Sequence, residues 1–178
     1  MFSFFERLTN PFPAEPPTQP PTTMVAFCKH YTKGMWAVLL TVSLLSAIVA
    51  ILEVTLFGFM GKLVDWFAER DRATFVEQES NTLILMGIVV VVLIPGFILL
   101  RSLFSRQSLL GNYPMRIRWQ AHRYLLGQSL SFFHNEFAGR VATKVMQTAL
   151  SVRETVMKLL DLMVYIGVYF ISMVVLIF

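Results

Sequence analysis

An all-α integral membrane fold is predicted by three observations on this 178-residue chain. Hydrophobic residues make up 56% of it and charged residues 15%, with a mean hydropathy of +0.63, whereas soluble domains carry roughly 25% charged residues. Three apolar runs, residues 35–60, 83–100 and 162–178, reach or approach the roughly 20 residues that a helix needs to cross a bilayer core. Between the last two runs, residues 101–158 are basic yet keep helical periodicity, as expected of helices that continue into water. Three long transmembrane helices with cytosolic extensions follow.

Taken in order, residues 1–22 form a proline-rich cytosolic tail. Pro11, Pro13, Pro16, Pro17, Pro20 and Pro21 remove backbone donors and forbid a continuing helix, so a flexible or polyproline-like tether is expected. In residues 23–34, Met24, Phe27, Cys28 and Tyr31 recur at helical spacing with Lys29 and Lys33 on the polar side, the pattern of an amphipathic helix on the inner membrane surface. Gly34 is placed to bend the chain before Trp36 enters at interfacial depth. The first span continues past Met60, because residues 61–67 keep apolar residues at helical spacing, and a short external loop runs from about residue 68 to residue 81. Pro95-Gly96 predicts a kink in the second span.

Beyond that span, residues 106–130 and 139–161 are matched helical legs of about 36 and 33 Å, able to pair as an antiparallel hairpin. Gly111 and Pro114 predict a bend in the outgoing leg. The last run, residues 162–178, supplies about 25 Å against a core of about 30 Å, so a longer polypeptide is expected.

Charge follows topology. Residues 62–79 hold three bases and five acids, whereas residues 101–158 hold nine bases and two acids. With Lys29 and Lys33 ahead of the first span, the positive-inside rule places the N-terminus in the cytosol and the 62–79 loop outside. The net charge of +4 is thereby explained without nucleic acid as a partner; the lipid bilayer is the expected one. A single cysteine excludes an internal disulfide, and His30, His122 and His134 lack ligand spacing, so no metal site is expected.

Two places carry candidate function. The hairpin turn holds Phe132, Phe133, His134, Asn135, Glu136, Phe137 and Ala138. Its phenylalanines forfeit about 1.5–3 kcal/mol each if left in water; either they dock on a partner or they pack back on their own hairpin. Glu53 is an ionisable residue inside the first span, which points to a bundle interior or a water-filled path. Glu154 and Lys158, and Lys158 and Asp161, are spaced for helical ion pairs. No Gly-x-x-x-x-Gly-Lys-Ser/Thr motif occurs, so these residues form no P-loop and carry no catalytic motif.

Residues 118–154 resemble the first intracellular loop of ATP-binding cassette (ABC) exporters. Arg118 and apolar residues lead to Phe132-Phe133, a few polar residues, Gly139 and a helix with spaced hydrophobics. Residues 61–65 are similar to the end of the family's first helix, and residues 23–33 to its elbow helix. The Gly-Asn-Tyr-Pro break at residues 111–114 and the proline-rich leader depart from the family pattern. The resemblance implies that residues 35–178 are part of a type 1 exporter transmembrane domain, helices 1–3 of six. It implies that residues 132–138 couple to a nucleotide-binding domain, on this polypeptide or a partner. ATP and Mg2+ would sit on that domain, with none bound here, and a second half, most simply a copy of the first, would complete a multidrug- or lipid-type exporter in the plasma (inner) membrane. A membrane signalling or scaffold protein with a cytosolic helical hairpin is the alternative reading.

Overall fold

The computed structural model describes residues 3–69, 79–135 and 137–177, and within them the chain is helical without strands. A short α1 (Ser3–Arg7) and α2 (Met24–Thr32) precede the long α3 (Trp36–Glu69). The second long helix is composite: α4 (Ser80–Ile88), a π-helical turn Val89–Leu93, α5 (Ile94–Leu103), a second π-helical stretch Phe104–Leu110, and α6 (Asn112–Leu126). The short α7 (Leu130–Asn135) and the 40-residue α8 (Ala138–Ile177) complete the chain. Trp36–Ala68, Ser80–Leu126 and Gly139–Val175 are long and apolar enough to cross a membrane.

Each π-helical stretch has a proline as its physical cause. Pro95 has no N–H for the Val91 carbonyl four residues back, and its ring crowds that carbonyl; the helix widens to π register over Val89–Leu93. Pro114 likewise denies Leu110, the last residue of the second stretch. Because α6 restarts at Asn112, Pro114 falls in a first turn, where a missing N–H is one of the groups left over anyway. The expected kink and bend therefore take the form of changes in helical register.

Two compact units divide the chain. One comprises Met1–Val42 with Leu103–Leu160. Its core gathers Tyr31, Met35, Leu39, Leu109, Tyr113, Ile117, Ala149 and Val152. Phe27 and Cys28 of α2 pack against it, as their spacing predicts, while Met24 stays 70% exposed. Gly34 sits at φ +86°, a left-handed backbone conformation for which the turn between α2 and α3 requires glycine. The hairpin legs pair antiparallel: Arg153 on α8 donates to the Leu110 carbonyl at 3.3 Å, and farther along Arg118 and His122 share a cleft with Val145 and Met146.

The other unit comprises Ser43–Ser102 with Asp161–Phe178. Leu45, Val49, Ala50, Val54, Met86 and Val89 are buried in it. Ser46 donates to Asp161 and Tyr169 to Glu53, over sequence separations of 115 and 116 residues. A near-constant separation means that α3 and α8 run parallel here, in fixed register. Large side chains such as Val91 and Phe170 are exposed, as befits helices whose outer faces meet lipid or further helices.

Candidate functional site

At the hairpin tip, Phe132, Phe133, His134 and Asn135 belong to α7, Phe137 precedes α8, and Ala138 opens it; Glu136 lies outside the described residues. The Phe137 carbonyl accepts the Arg140 and Val141 amides at 2.9 and 3.2 Å, starting α8. The Phe132 and Phe133 rings meet edge to face at 5.2 Å. Phe133 turns toward a cleft of about 430 Å³ lined by His122, Leu126, Val141 and Met146, yet stays 42% exposed. Phe137 is 76% exposed, with the Arg140 guanidinium 5.8 Å over its ring. The two sequence alternatives thus divide by residue: Phe133 packs partly back, and Phe137 faces outward.

Against expectation, the proline-rich leader is no free tether. Thr9 is buried and donates to the Ser108 carbonyl at 2.7 Å, and Ser108 Oγ donates to the Phe5 carbonyl at 2.6 Å. Asn112 Nδ2 reaches the Glu6 carbonyl at 3.1 Å and Thr9 Oγ1 at 2.9 Å. Arg116 Nη1 donates to Asn10, Trp119 Nε1 to Pro13, and Arg123 Nη1 to the carbonyls of Pro13, Ala14 and Glu15. Phe5 stacks edge-on against Phe104, and Phe12 against Trp119. The physical reason is the carbonyl. Proline removes donors but keeps every acceptor, and the side chains of one face of the outgoing leg supply what the leader's backbone cannot. Both departures from the family pattern, the leader and Gly-Asn-Tyr-Pro, meet here, since Asn112 comes from that break. Thr32 donates to the Cys28 carbonyl, which leaves the Tyr113 hydroxyl to donate to Thr32. Burial, aided by the nearby Tyr124 phenol, pushes the Tyr31 pKa up, so Tyr31 stays neutral beside them.

In the other unit a polar seam joins three helices. Arg101 Nη2 of α5 pairs with Asp161 Oδ2 at 2.9 Å, and Ser46 donates to Asp161 Oδ1 at 3.0 Å. Asp161, spaced for Lys158, takes Arg101 instead, through a single charge-assisted bond from Nη2 to Oδ2, with Ser46 supplying the other carboxylate oxygen. Glu154 keeps its expected partner, Lys158, at 4.0 Å, and also accepts Arg153 at 3.2 Å. Farther along, Glu53 Oε2 accepts the Tyr169 hydroxyl at 2.8 Å, and Tyr169 stacks on Tyr165 with centroids 6.1 Å apart. Sequence reasoning singled out Glu53 but missed its partners. Asp161, Tyr165 and Tyr169 recur every four residues on one face of α8, a stripe that could have been found. Among the described residues no group of three His, Cys, Asp or Glu side chains could hold a metal ion.

No protein-family model matches the sequence, and no solved structure matches it. The chain is 42% identical over 173 residues to an uncharacterised ABC transporter ATP-binding protein of Haemophilus influenzae, a match covering 97% of this chain. It spans 28% of that relative's length. The residues described above are therefore similar, over nearly their whole extent, to part of a protein named as an ABC transporter ATP-binding protein.

Proposed function

We propose that this chain supplies the first three transmembrane helices of an ATP-driven ABC exporter and transmits motion from a nucleotide-binding domain. The observation that carries the reading is the antiparallel hairpin ending in the outward-facing Phe137 and half-exposed Phe133. It is supported by 42% identity to a protein whose name joins ABC transport to ATP binding. In this reading residues 132–138 seat in a groove of the motor domain, where burial of the phenylalanines returns the free energy that water denies them. ATP and Mg2+ bind on that domain, and its closure moves the hairpin as a lever on the spans. Glu53 lines the substrate path. A second copy completes the transporter in the plasma membrane, with the leader in the cytosol.

Replacing both Phe133 and Phe137 by Asp puts two charges into a contact built for apolar rings. Transport by the transporter assembled with its nucleotide-binding domain in proteoliposomes is expected to fall at least about tenfold, since a lost 1.4 kcal/mol at the contact already corresponds to that factor, while basal ATP hydrolysis by that domain persists. Unchanged transport by the double variant would remove the coupling role from this turn.

A further inference from the structure

We infer that the cleft between α2 and α8 is a binding site for one anionic phospholipid, with an acyl chain between the helices and the phosphate at Lys29. The inference needs a membrane beside α2 but not the proposed transport activity. Met24, Val25, Cys28 and Trp36 on one side and Thr155 and Leu159 on the other line a cleft of about 550 Å³. Cys28 packs against the core at its base, whereas Met24, Val25, Trp36 and Leu159 are exposed. So many large apolar groups gathered at one surface mark a place that something apolar covers. The amphipathic α2 ends just before α3 begins at Trp36, so the cleft lies where an apolar span starts, the depth at which headgroups give way to acyl chains.

Charge narrows the occupant to an anionic one. Lys29 lines the same cleft and its side chain is exposed, with no carboxylate paired to it among the described residues. Along residues 24–36 and 150–160, Lys29, Lys33, Arg153 and Lys158 stand against Glu154 alone. Glu154 is shared by Arg153 and Lys158 at 3.2 and 4.0 Å. The leader's Glu15 reaches Lys33 at 3.8 Å, and Asp161, next along α8, is taken by Arg101 at 2.9 Å. The nearby carboxylates are therefore engaged, and Lys29 is the cation left for an incoming anion. A free phosphate would leave the apolar walls bare, and a neutral lipid would leave Lys29 unanswered. An acyl chain carrying an anionic headgroup satisfies both, as at other basic-rimmed clefts on the cytosolic side of membrane helices.

Cys28 is the chain's sole cysteine and lines the cleft, so its alkylation reports occupancy. The complete protein that contains this chain, delipidated in detergent, is titrated with dioleoylphosphatidylglycerol, dioleoylphosphatidylcholine or glycerol phosphate. Native mass spectrometry measures bound lipid, and N-ethylmaleimide modification of the Cys28 peptide locates it. Phosphatidylglycerol is expected to bind saturably, about fivefold tighter than phosphatidylcholine, and to slow Cys28 alkylation, while glycerol phosphate does not. Lys29→Gln, at an exposed position, is expected to abolish the preference between the lipids, and Lys29→Arg to keep it. Thr155→Trp fills the cleft and should weaken binding of both lipids, with thermal unfolding as the check on its fold. Equal affinity for the two lipids in the wild type, or a preference that survives Lys29→Gln, would overturn the site. So would Cys28 alkylation that is the same with and without lipid; protection of Cys28 before lipid is added would identify a protein segment as the occupant instead. Transport is not read, so the outcome stands apart from the coupling proposal.

Discussion

Arg123 offers one guanidinium nitrogen to three consecutive backbone carbonyls, those of Pro13, Ala14 and Glu15, while its plane approaches the Trp119 ring at 5.9 Å. That nitrogen carries two hydrogens, so the three carbonyls share them. Arg123→Ala is expected to release the leader beyond Asn10 to protease and to cost about 1–2 kcal/mol of stability, the net worth of a small set of charge-assisted bonds that are partly open to water. Limited proteolysis and thermal unfolding measure the two effects; a leader equally protected in the variant would show that Trp119 and the other contacts hold it without Arg123. The exposed Lys33–Glu15 pair, at 3.8 Å, adds little to this attachment. Gly34 is the more demanding position. Its φ of +86° opposes any side chain, and Gly34→Ala should lower stability by about 1–3 kcal/mol in the same melt.

The proline-linked π-helical stretches show at the element scale what was legible and what was not. Pro95, Gly111 and Pro114 announced interruptions, since a missing donor and a crowded ring act locally. Their resolution as π register was hidden, because it depends on which distant groups collect the freed carbonyls. Ser108 gives its carbonyl to Thr9, and Leu110 gives its carbonyl to Arg153. The same limit concealed the docked leader: proline content excludes regular structure but says nothing of donors a hundred residues away. If Arg153 substitutes for the amide that Pro114 lacks, the two positions are energetically coupled. Arg153→Ala should cost about 1 kcal/mol in the natural background and clearly less beside Pro114→Ala, where a backbone N–H can take over the Leu110 carbonyl. A double-mutant cycle of thermal unfolding measures the difference; strictly additive effects would exclude the substitution.

At the scale of the whole molecule, hydropathy located three membrane-capable helices without structural help, since some twenty consecutive apolar side chains have few other uses. Direction is the finer question. Ser46 with Asp161 and Glu53 with Tyr169 fix α3 parallel to α8, so in a membrane the two would cross the same way and the helix between them would return. By the positive-inside rule the charge asymmetry between residues 62–79 and 101–158 would put the basic side in the cytosol. Cys28 is the sole cysteine, so a Cys28→Ser background gives a clean reporter. In that background Ser3→Cys and Ser129→Cys are expected to react with a membrane-impermeant maleimide only in inside-out vesicles, and Asn81→Cys only in intact cells. Ser129 and Asn81 are both exposed, so their reactivity reads sidedness rather than burial. Labelling of Ser129→Cys from outside would invert the topology and take the hairpin away from any ATP-consuming partner, whereas the expected pattern puts leader, hairpin and tip together on the side where ATP is found.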